Sequence, residues 1–165
     1  HLIRAEIEGA LREFLGARHV LWLGDGILGD DTDGHVDDMT RFVNSTTVVT
    51  AVESDKRDGN YAPLADNLRR LEAMADQDGR ALDVVKLPMP EPLPDGTGGR
   101  LPASYANFYI ANKVVIVPVF GQKRDAQALR ILRRLFPKRR IVPVRSNAVV
   151  AGLGAWHCLS QQLPR

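Results

Sequence analysis

The chain has 165 residues, 44% hydrophobic and 25% charged, with 22 Lys and Arg against 20 Asp and Glu and a net charge of +2. That balance fits one globular domain or part of a larger one, and the charge is too small to imply a polyanionic partner by itself. The single cysteine, Cys158, excludes an internal disulfide and fits a reducing cytoplasm, and no apolar run approaches the roughly 20 residues of a membrane helix.

The first segment, HLIRAEIEGALREFL, carries acids throughout and has no small-residue cleavage site, so it does not read as a signal peptide. Ile3, Ile7, Ala10, Leu11, Phe14 and Leu15 recur at helical spacing, and Gly16 supplies a stop. The chain starts without Met and inside this helix, which suggests a fragment or a processed product. His19 to Gly24 reads as a buried strand, followed by a Gly/Asp-rich loop, DGILGDDTDGHVDD. Thr40 to Val52 reads as a hairpin turning at Asn44-Ser45, Tyr61 to Gly79 as a helix, and Ala81 to Pro90 as a strand.

The same order then recurs. SYANFYIANKVVIVPVF predicts a hairpin turning at Asn112-Lys113, RDAQALRILRRLF a helix with Ala126, Leu129, Leu132, Leu135 and Phe136 on its inner side, and RRIVPV a strand. Phe42 and Phe108 match at a spacing of 66 residues, as do Val49 and Val115. Hairpin, helix, strand is thus a repeated unit, and parallel strands joined by helices predict an α/β architecture. PEPLPDGTGGRLP reads as a long, flexible, lid-like loop within the domain.

Three polar clusters occupy similar places in this repeat. Asp33 to Asp38 precede the first hairpin, Ser104 to Asn107 precede the second, and GAWHC follows the last strand. If equivalent positions of a ring-like repeat converge, a histidine, one or two carboxylates, an amide and a thiol meet at its centre. Each residue has a plainer reading too. A free cysteine is often a buried small hydrophobe, a lone histidine in an Asp-rich loop is more often solvated, and Asn107 can cap a turn. Asp30, Asp31, Asp33, Asp37 and Asp38 lack the spacing of a calcium loop. A zinc site from His35, His157 and Cys158 is disfavoured, because neighbours on extended backbone point to opposite faces. The same alternation favours His35 over His157 as the acid/base, and puts His35 and Asp37 on one face with Asp38 pointing away. Residues 123–140 carry eight Lys and Arg, a surface for phosphates, but without interleaved aromatic residues.

With GDDTDGHVDDMTRFV, SYANFYIANKVVIVPVFG and GLGAWHCLSQQLP in hand, the chain resembles the agmatine deiminase and bacterial-type peptidylarginine deiminase family, over the C-terminal half of a member. The resemblance implies a five-bladed α/β propeller (the pentein fold) of ββαβ units. It makes residues 1–165 the C-terminal part of one catalytic domain that needs its N-terminal half, or another chain. It implies that Cys158 is the nucleophile, His35 the general acid/base, Asp37 the partner of the substrate guanidinium, Asn107 an active-site amide, and Gly154 part of the substrate site with Asp37 and Asn107. A further acid comes from an N-terminal blade in the family. The implied reaction is guanidine deimination through a covalent amidino-cysteine, with no metal or organic cofactor. Agmatine-specific members carry a Gly-Gly-Asn-Ile-like stretch before His-Cys where this chain has GLGAW, which leaves agmatine and arginine derivatives both as substrates. A nucleic-acid module using helix 123–140 and an inactive structural homologue are the rival readings.

Overall fold

A computed structural model describes residues 2–31 and 34–163, leaving His1, Thr32, Asp33, Pro164 and Arg165 outside the described set. The first helix, α1 (Arg4–Leu15), ends at Gly16 with φ 68°, the left-handed conformation that stops helices. It buries none of its residues, and Phe14 and Leu15 are 77% and 74% exposed. What holds it is Glu8, whose Oε1 accepts from Trp22 Nε1 at 2.7 Å, while Arg4 lies over the Trp22 ring.

Two hairpin–helix–strand units follow. The first is β1 (Thr40–Phe42), β2 (Thr47–Val52), α2 (Tyr61–Glu72) and β3 (Asp83–Pro88); the second is β4 (Tyr109–Ile110), β5 (Val114–Val119), α3 (Lys123–Leu135) and β6 (Arg140–Arg145). In each sheet a short antiparallel strand and a parallel strand flank the central strand, in the orders β1-β2-β3 and β4-β5-β6. The fold is therefore α/β with two mixed sheets. The first hairpin turns because Asn44 Oδ1 accepts from the N–H groups of Thr46 and Thr47, both at 2.9 Å. The β-branched central strands bury Val48, Val49, Val115 and Val117 completely.

The two units share one core. Val49 and Leu87 of the first join Tyr105, Phe108, Val115, Val117, Leu132 and Phe136 of the second. Helix α3 packs on both β3 and β6. Its start is fixed by Asp125, whose carboxylate accepts from Gly121 N at 2.8 Å, Gln122 N at 3.1 Å and the Tyr105 hydroxyl at 2.6 Å. Arg124 reaches across to Glu53 at 2.9 Å and to the Met89 carbonyl at 2.9 Å.

Several expectations change. His19 to Gly24 forms no strand, because an apolar run becomes one only with a backbone partner; Leu21 and Leu23 instead pack beside Val48 and Leu71. Helix α2 ends at Glu72, not near Gly79, since Asp76 takes the N–H groups of Asp78 and Arg80 and turns the chain into an Ala75–Ala81 bridge. Phe42 is 53% exposed and Phe108 fully buried, so that pair does not occupy equivalent sites. On α3 the buried stripe is Ala128, Leu132 and Phe136, at i, i+4, i+8, and Ala126 is exposed. The loop at 90–102 is tied down: Pro94 bridges Arg100, and Arg100 Nη1 sits 2.8 and 3.0 Å from the two Asp58 oxygens.

The α3 assignment gives a stability test. Leu132→Ala should cost about 2–5 kcal/mol in chemical unfolding, whereas Ala126→Gln should change stability by no more than about 0.5 kcal/mol.

Candidate active site

Three loops meet where the two units adjoin. The 3-10 turn Val36–Asp38 leads into β1, Asn107 stands just before β4, and the segment after β6 carries Cys158. That last segment is anchored at its base: Ser146 N donates to the Val119 carbonyl at 2.9 Å, and Trp156 Nε1 donates to Ser146 Oγ at 2.9 Å. Leu153 then takes φ 66°, the one non-glycine residue at positive φ among those described, a strained conformation of the kind that collects at functional loops. Gly154 follows, buried, and a Cβ there would lie 2.7 Å from both Cβ and Sγ of Cys158. Glycine at 154 is what leaves room for the thiol.

Asn107, 1% exposed, holds the loops together. Its Oδ1 accepts from the N–H groups of Ala155 at 3.1 Å and His157 at 3.0 Å. With the oxygen so fixed, Nδ2 faces Asp37 Oδ2 at 2.8 Å, Asp38 Oδ1 at 2.8 Å and Cys158 Sγ at 3.0 Å. A primary amide has two hydrogens for these three acceptors. The Cys158 thiol, 3.1 Å from Asp37 Oδ2, can supply the missing donor from its own S–H.

The electrostatics follow from that crowding. Burial, reinforced by neighbouring Asp37, pushes the fully buried Asp38 up to about 7 against the pull of its Asn107 bond. Its Oδ2 has no hydrogen-bond partner among the described residues. Cys158 is an exposed residue, yet its sulfur lies against Gly154, Asn107 and Asp37. Desolvation raises its thiol, the Asn107 bond lowers it, and Asp37 raises it again, so the net direction is upward. Arg41 on β1 is the nearby cation. Its Nη1 donates to the carbonyls of Ala106 at 3.2 Å and Phe108 at 2.8 Å, on either side of Asn107, and its guanidinium lies over the Phe108 ring. Burial lowers its pKa; the charges of Asp37, Cys158 and Asp38 oppose that. A cleft of about 460 Å³ opens here, with Asp37, Arg41 and His157 facing Leu21, Leu23 and Phe42.

The structure thus brings Asp37, Asn107, Gly154 and Cys158 into contact. His35 stands on the other side of the acids: its ring Nδ1 is 3.2 Å from Asp30 Oδ1, and donor atoms of Asp30, His35 and Asp38 gather within 4.8 Å. The alternation argument fails because residues 36–38 form a 3-10 turn rather than extended backbone. Asp38 accordingly does not point away but packs onto Asn107. Cys158 also lies in a turn, with Leu159 N donating to the Ala155 carbonyl at 3.2 Å. Among the described residues, the one group of donors close enough for a metal is Asp30, His35 and Asp38, so the His35, His157 and Cys158 set does not assemble. His157 Nδ1 is buried without a partner among the described residues, and burial, then Arg41, lowers its pKa. Of the calcium-loop acids, Asp33 lies outside the described residues, while Asp37 and Asp38 turn to Asn107 and Asp30 to His35. Within the basic run, Arg124 is engaged by Glu53. Sequence reasoning missed Arg41 and misplaced Asp38, which it expected to point away; the signal for Arg41 was a lone cation in the short strand β1.

Asp38 makes stability depend on pH. It ionises near the ordinary 3.8 when unfolded and near 7 when folded, so between those values the folded state holds more protons and loses stability as pH rises. Unfolding free energies at pH 4 and pH 8 should therefore diverge between the parent protein and Asp38→Asn, the variant lacking a loss of the order of 4 kcal/mol.

Sequence and structure comparisons agree with one another. The model of the Porphyromonas-type peptidyl-arginine deiminase family matches residues 1–164. The agmatine deiminase of Pseudomonas fluorescens is 40% identical over 99% of this chain and 49% of its own length. The solved agmatine deiminase of Enterococcus faecalis, 37% identical, superposes with a TM-score of 0.93 over 99% of this chain and 49% of that one. A C. jejuni agmatine deiminase in a cysteine-to-serine form with substrate bound is 32% identical with a TM-score of 0.86, covering 95% of this chain and 45% of that one. The chain spans about half the length of the curated relatives it matches. No described helix is long and apolar enough to cross a membrane. The chain belongs to the Porphyromonas-type peptidyl-arginine deiminase family.

Proposed function

We propose that the protein to which this chain belongs is a guanidine deiminase, a hydrolase of linear amidines that converts agmatine to N-carbamoylputrescine or arginine residues to citrulline. The observation that carries this reading is the exposed Cys158, whose thiol lies within 3.1 Å of the Asp37 carboxylate and 3.0 Å of the Asn107 amide. A guanidinium is planar and cationic, and carboxylates bind it through charge-assisted hydrogen bonds. Its carbon is a poor electrophile, which calls for a sulfur nucleophile.

In this mechanism Asp37 binds the guanidinium, with Asn107 and Gly154 shaping its seat. Cys158 sulfur attacks the central carbon while its proton passes to His35. The tetrahedral adduct collapses when His35 returns that proton to a departing amino group, and ammonia leaves. The cation that remains is an amidino-thioether of Cys158. A water deprotonated by His35 then adds to the same carbon, the C–S bond breaks, and the ureido product leaves with the thiol restored. No step calls for a metal or an organic cofactor.

The two ββαβ units are read as neighbouring blades of an α/β propeller, with residues 1–165 as the C-terminal part of one catalytic domain. The relatives' double length supports a partner in the remaining blades, supplied by an N-terminal half or another chain, together with a second carboxylate for the guanidinium. The apolar Val36, Phe42 and Leu159, each more than half exposed near the site, fit such cover. A lone thiol used as a nucleophile suits a cytoplasmic enzyme. The comparisons do not favour nucleic-acid binding by residues 123–140.

The test is a ureido-product assay of the full-length protein with agmatine and with a peptidyl-arginine. Cys158→Ser should abolish product and covalent labelling by a haloacetamidine. Asp37→Asn should lower kcat/KM by at least tenfold, the worth of a charged hydrogen bond of about 1.5–3 kcal/mol. Turnover retained in Cys158→Ser would refute the covalent mechanism.

A further inference from the structure

Asp30 is an acid that the reaction as described does not use. Gly26 and Gly34 close its loop backbone to backbone; a Cβ on Gly26 would lie 2.4 Å from the Gly34 Cα, and Gly34 takes φ 112°. That contact folds the chain back so that Asp30 lies beneath the residue following Gly34, which is His35. One Asp30 oxygen accepts the His35 backbone N–H. The other lies 3.2 Å from ring Nδ1, within ion-pair reach of the ring. The Asp30 side chain is 2% exposed and the His35 side chain 41%, so the clamp is sheltered while the ring stays accessible.

We propose that Asp30 is the positioning residue for the acid/base His35, gripping its backbone and its ring Nδ1 with one carboxylate; this rests on the deiminase reading above. An ionised carboxylate can only accept, so the nitrogen facing it is the one that carries hydrogen. The bond to one ring nitrogen decides which tautomer is present. Asp30 therefore keeps the proton on Nδ1 and leaves the Nε2 lone pair to take the thiol proton and hand it to the departing ammonia. The same division of labour operates wherever a buried carboxylate orients a catalytic imidazole. Asp38 contacts Asn107 through Oδ1, whereas Asp30 meets both the backbone N–H and the ring of His35.

The experiment uses the full-length protein with 15N-labelled histidine, His35 being assigned by its loss in His35→Gln. Long-range proton–nitrogen spectra should find neutral His35 protonated at Nδ1. Asp30→Asn offers the ring a donor as well as an acceptor, so it should populate the other tautomer and lower kcat by about 100-fold while KM stays within about threefold. Asp30→Glu should recover part of the loss. A wild-type His35 protonated at Nε2, or an Asp30→Asn variant with wild-type kcat, overturns the proposal. If the wild type yields no ureido product from any guanidine, the deiminase reading fails, and the wild-type tautomer alone decides whether Asp30 positions His35. The same spectrum decides the question if Asp30→Asn does not fold.

Discussion

The Asn107 side-chain amide joins three loops that are far apart in sequence. Its oxygen takes two N–H groups from the segment that carries Cys158, and its nitrogen faces Asp37, Asp38 and the thiol. Turning the amide over would set its oxygen against two carboxylates and its N–H groups against N–H groups. The orientation is thus dictated from both sides. Asn107 stands between Ala106 and Phe108, whose carbonyls Arg41 holds from the first unit. The core beneath, with Phe108 edge-on to Phe136, keeps that short stretch in place. Two sheets, a shared core and one amide thereby hold the Cys158 thiol 3.1 Å from the Asp37 carboxylate.

The charge of the site follows from the same arrangement. Asp37 and Asp38 are adjacent in sequence and both contact a single nitrogen, so the Asp37 carboxylate disfavours the charged form of Asp38. Asp38, with no route to water, yields and rises to about 7, while Arg41 offsets part of the remaining negative charge. Burial is the main reason the thiol is raised, and Asp37 adds to it, since losing the proton would leave sulfur and a carboxylate 3.1 Å apart. A cation placed beside Asp37 would relieve one such repulsion.

Much of this was legible before the fold was known, and what was not has definite physical causes. Helical spacing and β-branched runs locate α1, α3 and the central strands. The position of a polar cluster before each hairpin leads to the meeting of Asp37, Asn107 and Cys158. Periodicity cannot tell whether an apolar run finds a strand partner, so His19 to Gly24 was misread. Nor can it tell that Asp76 ends α2 with its own hydrogen bonds. Extended geometry was assumed for HVDD, and a 3-10 turn reversed the role expected for Asp38. Arg41 and Asp30 act through contacts to residues whose approach depends on the tertiary fold, or on a Gly26–Gly34 contact that spacing alone does not reveal.

The central claim is that one amide keeps the thiol loop and the acid turn in register. Hydrogen–deuterium exchange of the full-length protein carrying Asn107→Ala tests it directly, followed on peptides spanning 153–160, 35–41 and 114–119. Losing bonds worth about 1 kcal/mol each should speed exchange roughly tenfold or more in the first two segments together, and leave the β5 segment protected. Protection unchanged in either 153–160 or 35–41 would contradict the account.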